Sequence, residues 1–343
     1  MQNDPGIFRV AQWGTGLVGS AAARKVIEHP RLELVGCFAH SESKVGQDVG
    51  TLLGATPTGI KATHRIEEIV AAGPDCVLYM PLVWNVDDMA HLLSAGINVI
   101  STANFITGRS FGAETIGKLD HAARQGGVSL YGTGINPGQA NIIALAASAA
   151  CARVRRITVR EAVDATHYAS KNTWVSLGFG GPPDAPGLAD RVKERALVFM
   201  DTVEMMADAL KVTLDDIVFN VDFATANEDL PLGYMEIPRG RVCALRMSYC
   251  GVVKDKRVID LQLVWRLGHA MTPDWPVEGY VIEIEGEPDI RANFQATKGK
   301  VGSGTTTAMN AVHAIPAVCA ARPGIVTAAE LPLITAAYCV ETD

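Results

Sequence analysis

The chain lacks the features that mark several broad classes of protein. Its 343 residues contain no basic leader followed by an apolar run, and no apolar stretch approaches membrane-spanning length. No cluster of Lys and Arg offsets the net charge of −7, which argues against nucleic acid or an anionic membrane as a main partner. Internal repeats and low-complexity tracts are also missing. We therefore expect a globular protein whose partner is a small molecule.

The cysteine pattern and the absence of two motifs argue against further classes of protein, including zinc-binding proteins and serine hydrolases. The seven cysteines are scattered, odd in number and without a C-x-x-C pair, and most lie in apolar stretches, where free cysteine behaves as a small hydrophobe. No His, Cys, Asp or Glu cluster has the spacing of zinc ligands, so no metal is expected. There is no G-x-S-x-G motif of a serine hydrolase. These patterns predict a reduced, cytoplasmic protein.

A glycine motif follows the first predicted strand. The short, mostly apolar segment Ile7–Trp13 leads into Gly14, Gly16 and Gly19 at G-x-G-x-x-G spacing, and a helix-forming stretch follows. At this spacing the glycines allow a tight turn, the approach of a pyrophosphate, and close packing of helix on strand. The alternative is a glycine-rich turn without a ligand. The motif predicts a dinucleotide site at Gly14, Thr15, Gly16, Leu17, Val18 and Gly19.

The order of the predicted elements indicates two domains, for which the length suffices. Strands and helices alternate through residues 1–150, which predicts a Rossmann domain with a doubly wound parallel sheet. Residues 151–302 contain several alternating strands, and those near 241–250, 258–267 and 280–285 predict an antiparallel sheet in an α+β domain. Helices are expected over 189–210, from Thr213 and from Thr305, and the segment 303–343 should complete the first domain.

The end of the second strand bears on the choice of cofactor. An NAD-selective site usually has an acidic residue there, which binds the ribose 2′-hydroxyl. Here His40 and Ser41 follow the strand, Glu42 comes late, and Lys44 adds a positive charge. His40, Ser41 and Lys44 are therefore expected to meet the 2′-phosphate of NADP, with NAD also possible. The alternative is that Lys44 is a solvated loop lysine.

Other candidate residues follow later strands of the first domain. Met80 and Pro81 come after one strand and Asn104 after the next, at the edge where open α/β sheets bind ligands. The turn Thr133–Gly138 could present Asn136, Pro137 and Gly138 to the nicotinamide carboxamide. Asn136 could instead cap the next helix, with Pro137 at its first position.

A polar cluster follows the first strand of the second domain. Asp164, His167, Tyr168 and Lys171 fall within eight residues and could bind a carbonyl or anionic substrate, or transfer a proton. An exposed polar strand end is the alternative. His269 is a second candidate, and a structural histidine is its alternative. The glycine- and proline-rich segment 177–187 could form a lid or a surface connection.

Four motifs together resemble the dihydrodipicolinate reductase-like family. They are G-T-G-L-V-G, G-T-G-I-N-P-G, D-A-x-x-Y-A-S and a T-x-A-M-x-A-V-x-A-I-P-A-V helix that opens at Thr306. The nearest branch holds 2,4-diaminopentanoate dehydrogenase and the native amine dehydrogenases. The resemblance implies an NAD(P)-dependent oxidoreductase that interconverts an amine or imine with a carbonyl between two domains. His167 and Lys171 have the i, i+4 spacing of the H-H-x-x-K signature of dihydrodipicolinate reductases and are expected to be catalytic. The residues expected to bind substrate are Asp164, Tyr168, His269 and Thr306.

Two departures from the family bear on the chemistry. The D-A-P-S-G-T segment of true dihydrodipicolinate reductases is missing, which argues against lysine biosynthesis. Asn104 stands where the resemblance implies a glutamate in amine dehydrogenases, and an amide cannot act as a base, although it could bind a carbonyl oxygen. We expect an oxidoreductase that forms a homodimer through the second-domain sheet. The alternatives are a nucleotide-binding sensor without turnover and a purely structural module.

Overall fold

The computed structural model describes residues 6–296 and 304–341. Sixteen strands are numbered in chain order: β1 Phe8–Trp13, β2 Leu32–Phe38, β3 Ala62–Thr63, β4 Cys76–Tyr79, β5 Asn98–Ser101, β6 Ser129–Gly132, β7 Arg153–Asp164, β8 Asp216–Ala226, β9 Leu230–Pro231, β10 Glu236–Ile237, β11 Val242–Val253, β12 Lys256–Arg266, β13 Met271–Thr272, β14 Gly279–Glu287, β15 Ile290–Phe294 and β16 Gly324–Val326.

The α-helices of the same described residues are numbered in the same way: α1 Leu17–Glu28, α2 Val49–Leu52, α3 Ile66–Ala71, α4 Val86–Ser94, α5 Ala113–Gly126, α6 Ala140–Ser148, α7 Lys171–Ser176, α8 Leu188–Arg195, α9 Leu197–Leu210 and α10 Thr305–Cys319. None of these helices has the length and apolar character needed to cross a membrane.

The chain forms two compact units. The first runs to Gln139 and resumes with the described residues from Gly304, and the second begins at Ala140. The helix α6 therefore belongs to the second unit. The helix α10 packs against α1 within the first unit, and Pro316 lies inside α10 rather than at its end.

The first unit contains a parallel sheet in the order β16-β6-β5-β4-β1-β2-β3. Its strands are buried on both faces, which explains their nearly continuous apolar sequences. One apolar cluster contains residues of α1 and α10, and the other contains residues of α4 and α5. Helices therefore cover both faces, and the expected Rossmann arrangement is confirmed. The carboxyl ends of β1, β2, β4 and β5 form its ligand edge.

The second unit contains a seven-strand sheet in the order β13-β8-β11-β12-β7-β14-β15. The strands near 241–250 and 258–267 were expected in an antiparallel sheet, and they pair antiparallel as β11 and β12, as β14 does with β7. The sheet is nevertheless mixed, because β7 and β12 run parallel. A single helix was expected over 189–210, but the chain forms α8 and α9 with a break at Ala196. The prediction of a short helix from Thr213 is wrong. That segment leads directly into β8, whose alternating exposed and half-buried side chains line one sheet edge.

Candidate functional site

The glycine motif forms a tight turn between β1 and α1. Gly14 has φ +95°, and a Cβ there would lie 2.8 Å from the Met80 carbonyl oxygen. A Cβ on Gly19 would lie 2.1 Å from the Gly14 oxygen. Both positions therefore require glycine, one for the turn and one for the close approach of α1. Gly16 differs, because a Cβ there would meet nothing within 4 Å, so the structure leaves open space beside its backbone.

The open space adjoins the amino-terminal end of a long helix. Gly16 is the N-cap of the 12-residue helix α1, no side chain caps it, and no acidic residue occupies the first turn. Backbone N–H groups at such an end carry a partial positive charge and bind anions. The open side of Gly16 and the uncapped helix together fit the pyrophosphate of a dinucleotide. The assignment of a dinucleotide to residues 14–19 stays a prediction.

Lys44 lies beside the same turn. Its Nζ donates hydrogen bonds to the carbonyl oxygen and to Oγ1 of Thr15, both at 3.0 Å. It therefore contacts the glycine turn and is not the solvated loop lysine of the alternative interpretation. Ser41 is exposed, and its hydroxyl shares a 2.7 Å hydrogen bond with that of Ser43. His40 is exposed, with its ring edge-on to Phe38 at a centroid distance of 5.1 Å.

The residues after β4 and β5 lie at the same edge of the sheet. Met80 is buried against Gly14, and Pro81 precedes the exposed side chains of Leu82 and Val83. Asn104 is exposed and has φ +47°, a left-handed conformation that asparagine tolerates better than most residues. The edge thus combines an apolar surface with one exposed amide.

The turn after β6 does not form a helix cap. Asn136 has φ −154° and ψ 112°, Pro137 has φ −71° and ψ 144°, and α6 begins only at Ala140. The alternative that places Pro137 at the first helical position is therefore wrong. Gly138 has φ +138° and packs on Thr133. The backbone of this turn is therefore extended at Asn136 and Pro137.

Thr306 is an exposed residue in the first turn of α10. It follows Gly304, where a Cβ would lie 2.9 Å from Cγ2 of Val18. The start of α10 therefore adjoins the start of α1, and Thr306 belongs to the same region of the first unit as the glycine turn.

In the second unit, the fold joins two candidates that are distant in sequence. Nε2 of His269 lies 3.6 Å from Oδ2 of Asp164, and the His269 side chain is 81% exposed. His269 is therefore not a buried structural histidine. The other oxygen of Asp164 accepts hydrogen bonds from the backbone N–H and the hydroxyl of Thr166. These contacts fix the carboxylate at the end of β7.

Two aromatic residues extend this cluster. Tyr168 lies edge-on to Trp174 at 5.9 Å, and the Trp174 indole N–H donates to the Tyr168 carbonyl at 2.8 Å. Burial raises the pKa of the Tyr168 hydroxyl. Burial also raises the pKa of Tyr234, and the negative charge of nearby Asp164 adds to this effect. Sequence reasoning missed Tyr234, because no local pattern distinguishes it within the segment between β9 and β10.

A cavity of about 750 Å³ opens beside Tyr234 within the second unit. Its wall includes Lys171 and Arg191, one carboxylate at Glu236, and backbone from the glycine-rich segment after α7. The segment predicted as a lid or surface connection therefore lines a cavity. His167 is exposed in the turn after β7 and does not line this cavity.

Two family models match the chain. The model described as "2,4-diaminopentanoate dehydrogenase C-terminal domain" matches residues 140–342, and "Dihydrodipicolinate reductase, N-terminus" matches residues 8–105. An amine dehydrogenase of Streptomyces virginiae is 30% identical, over 94% of this chain and 95% of its own. A 2,4-diaminopentanoate dehydrogenase of Acetoanaerobium sticklandii is 25% identical, over 95% and 93%. The fold is similar to that of an amine dehydrogenase from Mycobacterium smegmatis, with TM-score 0.82 and 21% identity over 96% and 97% of the chains.

Proposed function

Because the chain belongs to the 2,4-diaminopentanoate dehydrogenase family, it is an NAD(P)-dependent oxidoreductase, and we propose that it interconverts a small amine with the corresponding carbonyl compound. The observation that carries the proposal is the open side of Gly16 at the uncapped start of α1. The family assignment supports the reaction class, and this geometry supports the proposed position of the nucleotide.

The glycine turn and the start of α1 would hold the cofactor. Backbone N–H groups at residues 16–19 would bind the pyrophosphate, and the extended turn at Asn136, Pro137 and Gly138 would meet the nicotinamide carboxamide. When bound, the cofactor supplies the hydride acceptor or donor. Met80 and Pro81 would provide apolar contact, since Met80 is buried against the turn.

NADP is the proposed cofactor, with NAD as the alternative. Lys44 contacts Thr15 in the glycine turn, which supports a position for its ammonium beside the proposed path of the cofactor at the end of β2. Ser41 and His40 are exposed beside it, and residues 39–41 include no carboxylate that would repel a 2′-phosphate. A phosphate so placed gains charge-assisted hydrogen bonds from Lys44 and Ser41.

Several polar side chains are proposed to act on the substrate. Asn104 would bind a carbonyl oxygen through its amide, and His167 and Lys171 would handle protons or charge. The proposed substrate-binding residues are Asp164, Tyr168, His269 and Thr306. Each of them is at least partly accessible, which such contact requires.

A homodimer through the second-unit sheet is also proposed. The Tyr249 hydroxyl bonds to α8 and the Trp265 ring meets Phe199 of α9, so those helices lie on one face. Because side chains alternate along β11 and β12, Ser248 of β11 and Gln262 of β12 point to the opposite face of the sheet. That opposite face carries adjacent polar and paired charged side chains that suit contact with an identical face: Arg160, Asn220, Asp222, Arg246, Ser248, Gln262 and Glu278. The seven cysteines are free, and we propose the cytoplasm as the location.

The first experiment is a fluorescence titration with NADPH and NADH, followed by a screen of carbonyl compounds with and without ammonia. Micromolar binding and ammonia-dependent oxidation of the bound cofactor are expected. Oxidation that does not depend on ammonia would contradict the amine assignment. Binding without oxidation of the cofactor by any member of the panel would favour the nucleotide-binding sensor, and absence of binding would overturn both.

A further inference from the structure

The loop that carries His269 is held in place by a buried arginine. The Arg266 side chain is 6% exposed, and its guanidinium donates to the carbonyl oxygens of Gly268 at 3.2 Å and His269 at 3.0 Å, to that of Trp275, and to Asp274 at 2.8 Å. All of these acceptors of the Arg266 guanidinium belong to the loop that carries His269. Such a network fixes the backbone on both sides of His269.

Two further hydrogen bonds fix the same loop. The hydroxyl of Thr166 accepts the Gly268 N–H at 2.8 Å while it donates to Asp164. Asn227 N–H donates to the carbonyl of Ala270 at 3.0 Å. Thr166 thus joins the end of β7 to the residue before His269, and it orients the Asp164 carboxylate at the same time. The backbone at His269 and the Asp164 carboxylate are therefore both fixed, while the imidazole itself is exposed.

We propose that Asp164 and His269 are the acid–base pair of the reaction, in which His269 exchanges protons with the substrate and Asp164 positions its ring. The inference rests on the proposed function. The negative charge of Asp164, 3.6 Å from Nε2 of His269, favours hydrogen on that nitrogen and leaves Nδ1 as the proton acceptor. Histidine changes charge near neutral pH, which suits both directions of transfer. A base held by a carboxylate and a fixed loop needs little reorganisation.

In amine oxidation, His269 would move protons between water, the substrate nitrogen and solvent. Once the substrate carbon has lost hydride, a protonated imine remains. Water adds to its carbon, the C=N electron pair moves to nitrogen, and Nδ1 of His269 takes the proton lost by water. His269 then returns this proton to the nitrogen. The C–N bond breaks, ammonia leaves, and the hydroxyl proton passes to His269 and then to solvent. The sum is amine, water and oxidised cofactor giving carbonyl compound, ammonia, reduced cofactor and one proton.

Tyr234 supplies a neutral donor beside this pair. Its raised pKa, caused by burial and by the Asp164 charge, keeps its hydroxyl protonated at working pH. It lines the cavity of the second unit, so it can donate to a substrate oxygen but not act as base. The remaining charged groups at the loop are Arg266 and Asp274, which bond to each other.

The pair is tested first without turnover, in the full-length protein. Nitrogen-15 NMR of the histidine rings reports which nitrogen carries the hydrogen in the neutral form. We expect the Nε2–H tautomer for His269, and a redistribution toward Nδ1–H in Asp164→Asn. His121, exposed on α5, is the internal control. An unchanged His269 tautomer in Asp164→Asn would overturn the pair, whatever the substrate proves to be.

Kinetics then separate proton transfer from binding. His269→Ala should lower kcat by about 10²–10⁴-fold with KM for the cofactor unchanged. Added imidazole should restore part of this loss, because the side chain is exposed. Asp164→Asn should lower kcat less, without rescue by imidazole, and Asp164→Glu should recover part of the rate. His121→Ala should leave the rate unchanged.

Three outcomes would overturn the proposal without touching the proposed function. They are a His269→Ala enzyme at the wild-type rate, a loss confined to KM for the substrate, and a rescue by imidazole in His167→Ala instead of His269→Ala. Absence of turnover in the wild type would count against the proposed function alone. The NMR result would still decide whether the pair exists.

Discussion

The Lys44 ammonium bonds to both oxygen atoms of Thr15, 3.0 Å from each. This contact joins the end of β2 to the glycine turn. Lys44, which the sequence predicts to bind the 2′-phosphate, therefore lies next to residues 14–19, which are predicted to bind the pyrophosphate. The contact makes the choice between NADP and NAD testable at one side chain.

Lys44→Ala is expected to weaken NADPH binding by tenfold or more and to change NADH binding by less than threefold. A charge-assisted hydrogen bond contributes about 1.5–3 kcal/mol, and 1.4 kcal/mol corresponds to a factor of ten. Fluorescence titration measures both affinities, with the exposed Lys61→Ala as the control. An equal loss for both cofactors would mean that Lys44 only supports the turn through Thr15.

Gly16→Asp is expected to abolish binding of both cofactors while the protein stays folded. A Cβ at Gly16 meets nothing within 4 Å and its φ is −79°, so the change is sterically tolerated. The new carboxylate would repel the pyrophosphate at the start of α1. Circular dichroism and cofactor titration check the two parts, with Gly117→Asp, also open at Cβ, as the control. Retained binding would contradict the assigned pyrophosphate position.

Stability should fall as the pH drops below neutrality. Burial lowers the pKa of His29, and burial together with the nearby His29 and Lys25 lowers that of His313. The unfolded chain, with histidine pKa near ~6.5, then binds more protons than the folded one. The contribution of these histidines is present above that value and lost as the pH falls. Thermal unfolding at pH 7.5 and 5.5 should show a smaller drop in Tm for the His29→Gln, His313→Gln double variant.

The exposed His121→Gln variant is the control for this pH dependence. It should keep the full drop in Tm between the two pH values. A double variant with the same drop as wild type would show that other groups cause the dependence.

Arg246→Glu should weaken the proposed dimer. Arg246 pairs with Asp222 at 2.7 Å and lies over the Trp275 ring at 5.2 Å, on the sheet face proposed as the dimer interface. A glutamate there would face Asp222 and place like charges on a self-complementary surface. Light scattering after size exclusion measures the mass, with Arg195→Glu on α8 as the control. A wild-type monomer, or a variant dimer of equal affinity, would contradict this interface.

The sequence alone determined the Rossmann fold, the glycine turn and the family. These features depend on local patterns, because hydrophobic runs, breakers and glycine spacing act over a few residues. The family resemblance, drawn from four short motifs, is confirmed by the match over residues 140–342 and by the relative 30% identical to the chain.

Tertiary structure decided the features that depend on distant residues. The parallel pairing of β7 with β12 could not be inferred, because strand direction is set by packing and chain connection rather than by alternation. The segment at Thr213 has the sequence of a helix start but continues into β8, since pairing with β11 outweighs local preference. Asp164 and His269 meet only because β7 and β12 end side by side. The tertiary fold also brings Tyr234 near Asp164, and no local sequence pattern predicts this proximity.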